Sequence, residues 1–262
     1  MNPKYNFFQP NIDFRSNLNN NIPQIGLSVG FNDPLLTESI SDDVDFIWYD
    51  LEHVLYDNSS INLHLLACRF KQTMSFVRLG DFTSGNIKNV LDAGANGIIA
   101  AQIKSYEEAL IFTENCKYPP LGNRGAGPRI PSNYRAVDHT YFENANKYLF
   151  VSVMIETKEA LDDLDKILTI PNLDSIVIGP YDLSGALTKL GDIENTYFEK
   201  ILIEIIEKSH KYNKYVGIGM PINIKFAKKM INLGVDWLQI GNDHEYLINN
   251  VSSVYTGIKN DL

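Results

Sequence analysis

Cysteine is scarce in this 262-residue sequence, which has only Cys68 and Cys116. The two fit no metal-ligand spacing and fall in segments of helical period, so a disulfide framework is not expected and the compartment reads as reducing. Long apolar runs are missing too. No stretch approaches the roughly 18 continuous apolar residues of a membrane span. Residues 1–21 are polar and Asn-rich, without the apolar core of a secretion signal. The expected location is the cytoplasm. Basic side chains number 23 against 32 acidic ones, a net charge of −9 with no local basic run. That balance repels nucleic acid and anionic lipid and leaves a small molecule or another protein as the expected partner.

What the sequence does have is enough apolar material for a substantial core, at 44% hydrophobic and 11% aromatic residues. Short runs rich in Val, Ile and aromatics alternate with longer segments of helical period. The runs predict eight strands, at 24–29, 46–50, 75–78, 97–100, 150–155, 175–178, 215–219 and 237–240. The helices that follow them are predicted at 34–40, 61–71, 84–93, 105–116, 158–168, 195–212, 222–233 and 245–259. Ser84, Ser105 and Thr157 suit N-caps, and Gly94 and Gly234 suit left-handed C-caps. Eight strand and helix units in one chain of this length predict an α/β fold of the (β/α)8 TIM-barrel type. A doubly wound sheet is disfavoured because the glycine-rich fingerprint after the first strand is absent. Residues 1–21 read as a polar arm ahead of one barrel domain at 22–262. The Gly- and Pro-rich stretch from Lys117 to about Thr140 reads as a lid or binding loop.

In such a barrel the chemistry gathers at the C-terminal ends of the strands. There the sequence places Asp50-Leu51-Glu52-His53, Arg78, Glu156-Thr157 and Gly179-Pro180-Tyr181-Asp182. Glu156 and Asp182 lie one strand and helix unit apart, on strand tips spaced about 4.8 Å. Two such carboxylates either share a cation such as Mg2+ or Mn2+ or raise one another's pKa. The alternative is that one of them stabilises a helix N-terminus. His53 is a candidate general base or a capping residue, and His244 is a secondary candidate. Arg78 is a candidate for holding an enolate or carboxylate oxygen, or for a salt bridge across the mouth. Arg124, in the run from Gly122 to Arg129, is a candidate contact for an anionic substrate. No strand tip carries the lysine that a Schiff-base aldolase needs, so carbonyl activation is assigned to a metal.

Taken together, the Asp50 to His53 segment, Val77-Arg78, Leu121-Gly122-Asn123-Arg124-Gly125, Ile155-Glu156-Thr157 and Gly179-Pro180-Tyr181-Asp182-Leu183-Ser184 resemble the HpcH/HpaI aldolase family. The resemblance implies a barrel of the phosphoenolpyruvate/pyruvate type whose last helix is exchanged between subunits, in a homo-oligomer such as a trimer or hexamer. It implies a class II aldolase that needs Mg2+, Mn2+ or Co2+ and cleaves a 4-hydroxy-2-oxo acid to pyruvate and an aldehyde. By motif position Glu156 and Asp182 would hold the metal, and His53 and Asp50 would belong to the catalytic machinery. Arg78 would stabilise the enolate, Asp92 would support the histidine, and backbone around Gly179, Pro180, Tyr181 and Asp182 would bind the substrate carboxylate. Leu51, Leu79, Ala101, Met154 and His244 depart from the common family pattern, which places substrate choice on Met154 and His244. Competing expectations are an oxaloacetate decarboxylase or another metal-enolate lyase on the same scaffold, and a non-catalytic 2-oxo acid binding protein.

Overall fold

The computed structural model describes residues 6–134 and 139–260. Its centre is a closed barrel of eight parallel strands in sequential order. The strands are β1 (Gln24–Val29), β2 (Phe46–Asp50), β3 (Met74–Leu79), β4 (Gly97–Ala100), β5 (Phe150–Ile155), β6 (Ser175–Ile178), β7 (Tyr215–Met220) and β8 (Trp237–Asn242). The order closes through β1 and β8, with Gln24 paired to Trp237. Helices cover the outside, as a parallel sheet buried on both faces requires.

The caps behave largely as their residue types dictate. Ser105 and Thr157 accept from the Glu108 and Ala160 amides, and Gly94 and Gly234 both end their helices at φ 104°. Thr83 rather than Ser84 caps the helix Ser84–Ala93. The predicted helix at 158–168 is split into Lys158–Asp162 and Leu164–Ile167.

The lower half of the barrel is filled by aromatic rings. Phe76 stacks on Trp237 with centroids 4.7 Å apart, and Phe46 meets both edge-on. Such rings fit because facing positions are small: a Cβ on Gly97 would lie 2.4 Å from the Phe76 ring, and one on Gly217 2.3 Å from Trp237. The pattern of glycine beside aromatic fills the taper of a small barrel.

Residues 9–19 are not a loose arm. They form the helix Gln9–Asn19, which closes the bottom of its own barrel with Phe14 edge-on to Phe46, Phe76 and Phe150. The polar residues around Phe14 act as latches. Asn11 Nδ2 donates to the Asn96 carbonyl at 2.7 Å and to that of Tyr148 at 3.0 Å, and Arg15 pairs with Asp174 at 2.9 Å. An Asn-rich composition therefore concealed a buried element whose backbone-directed side chains satisfy carbonyls at the lower ends of the strands. Residues 1–5 of the expected arm lie outside the described residues.

Candidate active site

The upper ends of the strands enclose an open cavity of about 520 Å3. Asp50, His53, Arg78, Glu156, Gly179, Pro180, Tyr181 and Asp182 all line it, so eight of the residues expected at the site converge there. Trp48 and Met154 form its floor, and Gln239, Asn242, His244 and Ser28 line the side contributed by β8 and β1.

Asp50 organises one wall. Its Oδ1 accepts from the amides of Glu52 at 2.9 Å and His53 at 3.2 Å, which turns the chain sharply after β2 and holds His53 at the rim. The same oxygen accepts from Arg78 Nε at 3.0 Å, and Oδ2 accepts from Nη2. This fork suits a guanidinium and would not suit an ammonium. Burial opposes ionisation of Asp50, but the Arg78 fork and the two amides outweigh it and hold the carboxyl below its usual range. Burial likewise opposes the charge of Arg78, yet Asp50, Glu52 and Glu156 keep the guanidinium charged more firmly than usual. Arg78 also lies over the Trp48 ring, 5.7 Å from its centroid.

Glu52 does not line the cavity but backs this wall, and sequence reasoning assigned it no role. Its Oε2 lies 3.1 Å from Arg78 Nη1 and 3.7 Å from His53 Nε2. Burial raises its carboxyl, against the pull of Arg78 and His53. The clue was its spacing: two residues after Asp50, it folds back over Gly80, where a Cβ would come within 2.9 Å of the Glu52 side chain.

Glu156 directly follows β5 and is almost fully buried. Its Oε1 accepts from the Gln102 amide at 2.7 Å, while Oε2 is buried without a hydrogen-bond partner. Gly179 makes room for it, since a Cβ there would lie 2.4 Å from Glu156 Oε2. Burial, with the nearby charges of Glu52 and Asp182, pushes the Glu156 carboxyl up to about 7. Asp182 stands exposed in the first turn of the helix Pro180–Leu187. The amides of Tyr181 and Asp182 in that turn have no intrahelical acceptor and are available to an anion.

Among the described residues, no group of three or more His, Cys, Asp and Glu side chains is placed to hold a metal ion. The donors that are present still fit a hard divalent cation. One buried carboxylate oxygen lacks a partner, a second carboxylate lines the same cavity, and such ions take their remaining oxygen ligands from water and substrate.

Two expected site residues lie elsewhere. Asp92 does not approach His53: its Oδ1 pairs with Arg124 at 2.7 Å, and it lines a separate cavity with Asn86, Asn89 and Ile130. Arg124 is buried over the Tyr118 ring rather than presented to substrate. The cause is local: the Asn123 amide donates to Glu114 O at 2.8 Å and the Arg124 amide to Lys117 O at 2.9 Å, which draws the loop inward. None of the described residues of this loop lines the cavity at the mouth, so they form no lid over it. His64 is buried and bonded to Thr37, and His210 pairs with Asp236, as structural residues.

The comparisons agree with this architecture. A hydroxypyruvate/pyruvate aldolase from Roseovarius nubinhibens is 29% identical over 236 residues, covering 89% of this chain and 91% of that protein. A 5-keto-4-deoxy-D-glucarate aldolase from Escherichia coli K12 is 28% identical over 221 residues, covering 84% of this chain and 86% of its own length. The crystal structure of an HpcH/HpaI aldolase from Desulfitobacterium hafniense DCB-2 superposes with a TM-score of 0.88 at 22% identity, covering 94% of this chain and 96% of that one. No helix among the described residues is long and apolar enough to cross a membrane. The profile of the HpcH/HpaI aldolase/citrate lyase family matches residues 24–250, and the chain belongs to that family of carbon–carbon lyases.

Proposed function

We propose that the protein is a metal-dependent class II aldolase that cleaves a 4-hydroxy-2-oxo acid to pyruvate and an aldehyde, or runs the reverse condensation. The observation that carries this reading is Glu156, whose unpartnered buried oxygen and raised carboxyl sit in one cavity with Asp182 and a firmly charged Arg78. Glu156 and Asp182 would hold Mg2+, Mn2+ or Co2+. When bound, the cation supplies Lewis-acid polarisation of the 2-oxo group.

The chain's own residues account for the rest of the reaction. Amides at Tyr181 and Asp182 receive the substrate carboxylate at the start of the helix that follows Gly179 and Pro180. His53 accepts the C4 hydroxyl proton as the C3–C4 bond breaks, and returns a proton in the reverse direction. Arg78, aligned by Asp50 and flanked by Glu52, faces the negative charge that develops on the enolate oxygen.

A homo-oligomer completes the proposal. The last helix, Asp243–Asn260, leaves Leu247, Ile248, Val251, Val254, Tyr255 and Ile258 exposed. Beside its first turn, a cavity of about 880 Å3 is lined by Ile25, Leu27, Leu36 and Ile40. Exchange of this helix with a second copy, in a trimer or hexamer, would cover both surfaces. Both thiols are buried and free, in keeping with a reducing cytoplasm.

The test is pyruvate release from a panel of 4-hydroxy-2-oxo acids and from oxaloacetate, coupled to lactate dehydrogenase, after EDTA treatment and again with each metal restored. Release that depends on metal is the expected result. Release from oxaloacetate alone would identify a decarboxylase, and no release from any compound would leave a binding protein.

A further inference from the structure

The turn after β4 contains a strained residue that has no task in the reaction derived above. Gln102 has φ 54°, in the left-handed region that glycine enters freely and most side chains avoid. Among the described residues, seven other than glycine have positive φ; four are asparagine, which tolerates that region, and Gln72 caps the end of a helix. Gln102 has neither reason. Its side chain is exposed, so no packing of that side chain imposes the conformation.

The residues on either side hold the turn in place. Ala101 and Ile103 are fully buried. The Ala101 amide donates to the Leu79 carbonyl at 3.0 Å, which carries the pairing of β3 with β4 one residue past the strand. The Ile103 carbonyl accepts from the Thr157 hydroxyl at 2.8 Å, and the same hydroxyl oxygen accepts from the Ala160 amide at 3.0 Å. Thr157 thus ties the segment after β5 to the segment after β4 while capping its own helix. Between these two anchors the left-handed step at Gln102 turns its amide onto Glu156 Oε1, at 2.7 Å. The two oxygens of one carboxylate are thereby divided: the backbone holds Oε1, and Oε2 is left without a partner.

We propose that Gln102 and Thr157 are positioning residues for the carboxylate of Glu156: the left-handed turn at Gln102, locked by Thr157, fixes Glu156 with Oε2 free for the cation. This rests on the metal-dependent reading of the site and adds to it two residues that do not line the cavity. Strain of this kind persists where the surrounding contacts over-determine it, as the anchors at Ala101 and Ile103 do here. A carboxylate already ordered by an amide gives up little side-chain freedom when the ion arrives, which strengthens binding without a further ligand. At position 102 it is therefore the backbone conformation that matters, and the side chain is dispensable.

The experiment is calorimetric titration of the full chain with Mg2+, and with Mn2+ as a second probe, beside thermal melts in EDTA. Gln102→Val should weaken Mg2+ binding about tenfold, the size of one hydrogen bond to a charged group, because a β-branched residue disfavours positive φ and draws the amide off Glu156. Gln102→Gly, conservative here because glycine favours the same φ, should keep most of the affinity although it deletes the whole side chain. Thr157→Val should weaken binding severalfold, and Thr157→Ser should restore it. Thr83→Val removes the cap of a different helix and controls for stability: it should lower the melting temperature and leave Mg2+ affinity unchanged. Unchanged affinity in Gln102→Val or Thr157→Val, or as large a loss in Gln102→Gly as in Gln102→Val, would overturn the positioning role while Mg2+ binding by the unaltered protein upholds the metal reading. Should Gln102→Val fail to fold, Gln102→Gly and the two Thr157 variants decide. No binding of either ion by the unaltered protein would overturn the metal reading and the positioning role with it.

Discussion

Arg78 and Asp50 meet as a fork on adjacent strands, with Nε 3.0 Å from Oδ1 and Nη2 against Oδ2. The register pairs Asp50 directly with Arg78, so two neighbouring strand ends fix the guanidinium with almost no side-chain freedom. Arg78→Lys keeps the charge and loses the fork. The expected result is a fall in kcat of about a hundredfold, the usual cost of a misplaced electrostatic stabiliser. Steady-state kinetics should show it, with far-ultraviolet circular dichroism unchanged.

Glu156 gives a pH dependence of stability in the metal-free protein. Its folded carboxyl titrates at about 7, above the ordinary value of 4.5, so the folded state binds the proton more tightly than the unfolded one. Stability is therefore fullest below pH 4.5 as far as this group is concerned, and is lost as pH rises through 7, by an amount of order 3 kcal/mol. Thermal melts in EDTA should show this loss for the unaltered protein. Glu156→Gln should abolish it.

Gly179→Ala tests the seat of Glu156. The backbone there, at φ −95°, accepts alanine, but the new methyl would lie 2.4 Å from Glu156 Oε2. The carboxylate must move, so Mg2+ affinity measured by calorimetry should fall at least tenfold. The melting temperature should change by only a few degrees.

Phe14→Ala removes the ring that closes the barrel bottom. A cost of about 3–5 kcal/mol is expected in urea unfolding, as for other buried aromatic truncations. Turnover by the fraction that remains folded should be unchanged, because the helix lies at the end of the barrel away from the mouth.

Much of the fold was legible because parallel buried strands write short runs of Val, Ile and aromatics. β1, β2, β4, β5 and β6 begin and end where those runs do. The elements that escaped lack that writing. The helix Gln9–Asn19 spends its polar residues on backbone carbonyls, so it reads as coil until the carbonyls are in place. The helix Pro180–Leu187 falls between the helices expected at 158–168 and 195–212, in a stretch too short to show a helical period. At the site, residues just beyond strand ends were readable from position. Glu52 was obscured by its neighbours Asp50 and His53, and the placements of Asp92 and Arg124 depended on a loop drawn inward by hydrogen bonds that leave no periodic trace.

The helix that seals the barrel precedes every strand, yet its one aromatic ring, Phe14, contacts Trp237 at the start of the last strand. During synthesis Phe14 leaves the ribosome long before the strand that completes its pocket, so this contact is among the last that folding can make. An unfinished chain would carry the helix unanchored beside an open sheet. Closure of the barrel and docking of its plug should thus occur as one late event, and a protease that cuts only undocked helices would report when it happens.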